Sequence, residues 1–328
     1  MASIAFPQLA RRHILSTGHT YSYAFHPPST PSSQTLLFLH GFPSSCYDWR
    51  HQIHFFSGQG YGVIAPDLLG YGGTSKPTEL NEYKSKNMAA EIIELLDHES
   101  IDKVHAVGHD TGCTVLSRIA DYSPSRLLSC TFLDVPYAKP AERFDLAMVN
   151  SLTKQFLGFE RFGYIGFFVK DDAGRILDQH SDSFFTLFYP EDLNLWVEHI
   201  GPTGAIEDWL LQDKKGPAAP YISEAEREIH NEILQNSHDS ALKWYHALVN
   251  NINEADEIQE NINPKLSMPV LMICPQHTKL ELPGVEEQMR QIATNLTFER
   301  VSTAGHWAQL EARDEVNVIL KEFVERKN

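Results

Sequence analysis

Cysteine is scarce: four in 328 residues, Cys46, Cys113, Cys130 and Cys274. None stands in a CxxC pair or beside a histidine cluster. That pattern argues against a disulfide framework and gives no zinc-ligand spacing, so no metal is expected. Positive charge is also short. With 27 Lys and Arg against 43 Asp and Glu, the formal net charge is −16. A polyanion or an anionic lipid surface is repelled at long range by such a chain, so neither nucleic acid nor membrane is an expected partner. No hydrophobic run reaches membrane-spanning length, and the N-terminal MASIAFPQLARRHI has no long apolar stretch. The final VERKN is not a targeting tripeptide. Internal repeats and low-complexity tracts are absent as well. A soluble protein in a reduced, cytoplasmic setting is the expectation.

What is there reads as a globular α/β protein, with 42% hydrophobic and 21% charged residues. Short apolar runs at Gln34–Leu39, Tyr61–Ala65, Val104–Val107 and Leu128–Leu133 predict strands. Between them, Asn87–His98 carries Met88, Ile92, Leu95 and Leu96 at helical spacing, and Cys113–Tyr122 predicts a second helix. Near-continuously apolar strands alternating with helices indicate a buried, mostly parallel sheet flanked by helices. The rhythm breaks after Asp134. From there to about Leu266 helix follows helix, rich in aromatics such as Phe162, Phe167, Phe168, Trp196, Trp209 and Trp244. The βα pattern resumes at Pro269–Cys274, and a last strand at Thr297–Val301 leads through a loop to His306 and a terminal helix. The expected organisation is a core built from 1–135 and 267–328, split by a helical cap over 136–266.

The segment GHDTG, Gly108 to Gly112, lies between a predicted strand and a predicted helix. A small-x-nucleophile-x-small pattern at such a junction pushes the central side chain outward on a sharp turn, and the glycines admit close backbone approach. The central residue is Asp110 where serine is commoner. A serine needs a base to remove its proton, whereas a carboxylate is already ionised near neutrality. The natural target of a carboxylate is an sp³ carbon with a leaving group, and attack yields an alkyl-enzyme ester. HGFP, His40 to Pro43, follows the first clear strand. The amides of Phe42 and Thr111 are the candidate oxyanion-hole donors for the charge that develops when water attacks that ester.

HGFPSSCYDWRHQ, YGVIAPDLLGYGGTSKP, VGHDTG and AGHWAQLEARDEVN, in that order, closely resemble the soluble epoxide hydrolases of the α/β-hydrolase superfamily. The likeness extends over nearly the whole chain, and haloalkane and haloacid dehalogenases share the same core. The resemblance implies an α/β-hydrolase fold with the helical cap inserted after the strand ending near Asp134. It selects His306, in AGHW, as the base that activates water against the ester. An acid must orient that imidazole and stabilise its cation. In many epoxide hydrolases it follows the strand that resumes the core, but the aligned residue here is Thr278, a departure from the pattern. Certain dehalogenases of the superfamily keep the acid where this chain has Asp134, so Asp110, Asp134 and His306 form the expected triad, with Glu281 a weaker alternative.

Opening an epoxide leaves an alkoxide that needs a proton donor, and tyrosine suits that task. Soluble epoxide hydrolases resemble one another in offering two cap tyrosines; Tyr164, in RFGYIGFF, and Tyr245, in LKWYHALV, fall at the matching places. His109 and Trp307, beside the nucleophile and the base, are expected to bind substrate. The resemblance thus implies a cofactor-independent epoxide hydrolase that converts an apolar epoxide to a vicinal diol. Dehalogenation is the alternative. Many dehalogenases place tryptophan directly after the nucleophile for the halide, where this chain has Thr111, and fluoroacetate-type enzymes place arginines there, whereas Arg118 is a turn too far along. A non-hydrolytic ligand-binding, cyclase or isomerase role is the other alternative. A homodimer is left open, as are the substrate's identity and stereochemistry.

Overall fold

The computed structural model describes residues 1–276, 280, 283–302 and 305–326. Thr278, at the acid's usual position, and Glu281, the weaker alternative to Asp134, lie outside the described residues. The strands are β1 (Ala10–Ile14), β2 (Thr20–His26), β3 (Thr35–Leu39), β4 (Gly62–Pro66), β5 (Val104–His109), β6 (Leu127–Leu133), β7 (Val270–Pro275) and β8 (Leu296–Val301). They form one sheet in the order β1-β2-β4-β3-β5-β6-β7-β8. β2 pairs antiparallel with β1 and β4, and every other pairing is parallel.

Side chains alternate across a strand, so a sheet covered on both faces needs apolar residues at every position. That is what the runs supply. Leu37 and Leu39 of β3 join Met88, Ile92 and Leu95 of helix Ser85–His98 and Val115, Leu116 and Ile119 of helix Gly112–Tyr122. Leu36 and Phe38 join Ile53 and Phe56 of helix Arg50–Gly58 and Val316 and Leu320 of helix Arg313–Val324 on the opposite face. Each such side chain contributes about 1.5–3 kcal/mol by leaving water. Strand β2 (TYSYAFH) is buried along its middle, although the sequence reading assigned no element to it.

Register sets up the site. Leu39, Gly108, Phe132, Met272 and Phe298 pair in one row across β3, β5, β6, β7 and β8. Asp110 and Asp134 both stand two residues beyond that row, at the carboxyl edge where loops of an open parallel sheet converge on ligands. Between β6 and β7 the chain forms helices from Leu146–Leu157 to Glu254–Glu260. These have recognisable starts and stops: Asp145 caps Met148 N–H and Gly158 closes the first helix at φ 86°, while Ser223 and Glu226 form a capping box. The helical insertion is fastened to the core by directed bonds. Trp244 Nε1 donates to the Leu69 carbonyl at 2.8 Å, and Tyr189 Oη donates to the Pro43 carbonyl at 2.7 Å. Among the described residues, no helix is long and apolar enough to cross a membrane.

Candidate active site

Asp110 follows β5 and precedes helix Gly112–Tyr122, with its backbone in the left-handed region at φ 50°. Apart from glycine, residues with short polar side chains adopt that conformation most readily, so aspartate tolerates the turn where a branched residue would strain it. Glycine is required next door: a Cβ on Gly112 would run into the carbonyl oxygens of Leu39 and His40. A Cβ on Gly41 would strike the Asp110 carboxylate itself. These close approaches let the Phe42 amide donate to Asp110 Oδ1 at 2.9 Å. The companion bond expected from the Thr111 amide is not formed among the described residues. His40 holds the Phe42 loop in place, bonding Gly41 O through Nδ1 and accepting from the Leu68 amide through Nε2, both at 2.9 Å. Burial depresses this imidazole to about 4, which keeps it neutral and able to do both.

Across the sheet edge, Asp134 also has a left-handed backbone, at φ 64°, and its amide donates to the Ile273 carbonyl at 2.9 Å. Its Oδ2 takes the His306 Nδ1–H at 2.5 Å, leaving His306 Nε2 facing Asp110 Oδ2 at 3.7 Å. The latter distance is too long for a direct hydrogen bond. Burial by itself disfavours charge on both groups of the Asp134–His306 pair, but their mutual attraction outweighs it. The Asp134 carboxyl is lowered from its ordinary value by the imidazole, with Arg161 adding to the effect. The His306 imidazole is raised above its ordinary value, chiefly by Asp134 and then by Asp110, while Arg161 opposes the shift.

Asp110 and His306 open into a cavity of about 90 Å³ whose wall is otherwise mostly aromatic, including Phe42, Phe159, Phe162, Phe188 and Trp196. Tyr164, on helix Gly163–Phe168, and Tyr245, on helix Lys243–Val249, line the same cavity. Their rings meet edge-on with centroids 6.0 Å apart, and Phe168 packs against both. Burial and then the nearby negative charge push both phenols up, so each stays a protonated donor. The structure therefore brings Asp110, Phe42, His306, Tyr164 and Tyr245 to one chamber, with Asp134 bonded to the far side of His306.

Two expected substrate contacts are corrected. His109 is fully buried and lies behind the wall, where Nε2–H donates to the His306 carbonyl at 2.9 Å and Nδ1 accepts from Gln309. Trp307 is also buried; it stacks on Tyr189 and donates its indole N–H to the Phe188 carbonyl at 2.9 Å. Asp110 and His306 line the chamber, whereas His109 and Trp307, their neighbours in the chain, do not. Arg161, Phe188 and Trp196 line the chamber without having been assigned a role from the sequence. Arg161 stands three residues before Tyr164, the one local signal that could have drawn attention to it.

Residues 34–313 match the family model described as the alpha/beta hydrolase fold. An epoxide hydrolase of Neurospora crassa, srdG, is 25% identical over 98% of this chain and 96% of its own length. Epoxide hydrolase B of Mycobacterium tuberculosis is 26% identical, covering 93% of this chain and 94% of its own. Among solved structures, epoxide hydrolase A from Mycobacterium thermoresistibile superposes with a TM-score of 0.77 at 24% identity, over 96% of this chain and 97% of that one. At that identity the superposition speaks for the fold.

Proposed function

We propose an epoxide-opening activity on one premise: this chain belongs to the alpha/beta hydrolase fold family. Fold alone does not choose a reaction. The observation that carries the choice is a carboxylate and a histidine sharing one cavity with two protonated phenols, Tyr164 and Tyr245. The names of the full-length relatives agree with it.

The chemistry follows from what each group can do. Tyr164 and Tyr245 donate hydrogen bonds to the oxirane oxygen, and one of them gives up its proton as the C–O bond breaks. Asp110 Oδ2 attacks the ring carbon and forms an alkyl ester. That step neutralises Asp110, which removes one of the charges that hold the His306 proton on. The imidazole then releases that proton more readily and is left in the neutral form that can accept one from water. It takes a proton from water attacking the ester carbonyl, and Asp134, at 2.5 Å, stabilises the imidazolium. The developing oxyanion is met by the Phe42 amide, already 2.9 Å from Asp110 Oδ1. Collapse breaks the Cγ–Oδ2 bond; the two protons of the attacking water end on the departing alkoxide, through the imidazolium, and on the phenolate, so a vicinal diol leaves and the carboxylate, the imidazole and both phenols are restored.

Dehalogenation fits the site less well. Trp196, the chamber's tryptophan, commits its indole N–H to the Leu187 carbonyl at 2.8 Å, so it is not aimed at a departing halide. The reading is tested with excess enzyme and 1,2-epoxybutane in ¹⁸O water. In a single turnover the covalent route delivers an unlabelled carboxylate oxygen to the first diol. Label in that first product means direct attack by water and overturns the proposal.

A further inference from the structure

Arg161 faces the chamber from the segment that leads into the Tyr164 helix. It is half-buried, and Phe162 supports its guanidinium, with Cζ 5.2 Å from the ring centre. Among the described residues no acceptor bonds that guanidinium; only the backbone amide is engaged, donating to Thr153 Oγ1 at 3.1 Å. The adjacent carboxylate is directed elsewhere, since Glu160 accepts from the Thr203 amide at 2.9 Å and lies 3.7 Å from Lys154. Other sheltered arginines in this chain are paired: Arg50 with Glu226, and Arg118 with Asp121 and Glu257. In a protein with a surplus of acidic side chains, a sheltered cation that bonds none of the described ones is informative. Asp110 and Asp134 do not pair with it; the first takes the Phe42 amide and the second takes His306.

We infer that the epoxide opened here carries a carboxylate, and that Arg161 binds it. The inference rests on the epoxide-opening reading above and deepens it. A guanidinium presents two parallel donors that match a carboxylate's two oxygens, and it is strongest where water is scarce. A wall of aromatic rings broken by one such cation suits a short amphipathic acid. Because Arg161 and Tyr164 stand on the same wall, an acid whose oxirane adjoins its carboxylate turns the ring oxygen toward the phenols and a ring carbon toward Asp110. Arg161 is a specificity residue in this account; it takes no part in bond breaking.

The test compares 3-methyloxirane-2-carboxylate with the corresponding carboxamide, which has the same shape without the charge. The wild-type enzyme favours the acid in kcat/KM by about tenfold or more. Arg161→Gln brings that ratio toward one, mainly through KM for the acid, and Arg161→Lys keeps part of it. If Arg161 served only to tune the His306–Asp134 pair, both substrates would slow alike and the ratio would not move. A wild-type enzyme indifferent to the charge, or an Arg161→Gln variant that keeps the preference, overturns the inference. Titration calorimetry with butyrate and butyramide separates this result from the fate of the epoxide reading. If neither epoxide turns over, that reading fails, while butyrate binding that is lost in Arg161→Gln still upholds the anion site. No butyrate binding to the wild type sinks it.

Discussion

The sheet core and the helical insertion both supply the chamber, but they hold their contributions differently. Core groups are fixed by backbone. Asp110 and Asp134 stand at equal distances past one paired row, and the Phe42 amide reaches Asp110 because glycine at 41 leaves room. Insertion groups are fixed by side-chain packing on short helices, as with Tyr164 and Tyr245 against Phe168. The lesson is a division of labour: in the reaction proposed above, register positions the groups that make and break bonds to Asp110, while packing positions the groups that meet the substrate. Substitutions in the two regions should therefore fail in different ways.

The largest effect belongs to the core. In His306→Gln the carboxylate and the phenols remain, so ring opening proceeds while ester hydrolysis stalls, and steady-state turnover falls on the order of 10³- to 10⁴-fold. Intact-protein mass spectrometry after exposure to 1,2-epoxybutane should show one added epoxide mass, absent in Asp110→Ala. If His306→Gln gains no mass, the base acts before the ester forms and the assignment of His306 to the second step is broken.

The insertion's phenols should show the opposite signature. Tyr164→Phe and Tyr245→Phe each slow ring opening by about 10- to 100-fold, a share of what a positioned acid provides. Hydrolysis of an ester already formed changes little, because the alkoxide has by then been protonated. Rapid-mixing single-turnover measurements resolve the two steps. Equal slowing of both would mean that the tyrosines support the Asp110–His306 geometry instead of the leaving oxygen, and the contrast between regions would blur.

How much of this was legible follows the same division. Strands β3 to β8 announce themselves as apolar runs because both faces of the sheet are buried, and the observed ends fall within a residue or two of the expected ones. The sharp turn at Asp110 was legible because a tight strand-to-helix junction favours glycine two residues to either side, at 108 and 112. Asp134 was harder. Its signal was a family comparison and not a local pattern, and the 2.5 Å contact joins Asp134 to His306, 172 residues further along the chain. β1 and β2 escaped notice because ARRHI is largely exposed, and TYSYAFH mixes serine and histidine into a strand whose burial depends on its partners. His109 and Trp307 were misplaced for a related reason. Nearness in sequence to a reactive group does not fix the side to which a side chain points, and here both bond backbone carbonyls in the interior.

The smallest expected effects come from two glycines, one in each region. Gly112→Ala drives a methyl group into the Leu39 and His40 carbonyls at the end of β3, where Leu39 is held in register with Gly108 of β5. Overpacking of this kind costs about 1–3 kcal/mol. Gly166 lies inside helix Gly163–Phe168, where the nearest atom to an added Cβ is a Leu146 methyl at 3.8 Å, an ordinary contact. Gly166→Ala should therefore stabilise by roughly 0.5–1 kcal/mol, through the entropy that glycine loses on entering a helix. Urea unfolding of the two variants reads both signs in one experiment. If Gly112→Ala unfolds at the wild-type midpoint, the core's backbone yields more than its register implies, and the rigidity credited to Asp110 and Phe42 is misplaced. If Gly166→Ala lowers the midpoint instead, the Tyr164 helix is as tightly constrained as the sheet, and the difference between the two regions narrows to chemistry alone.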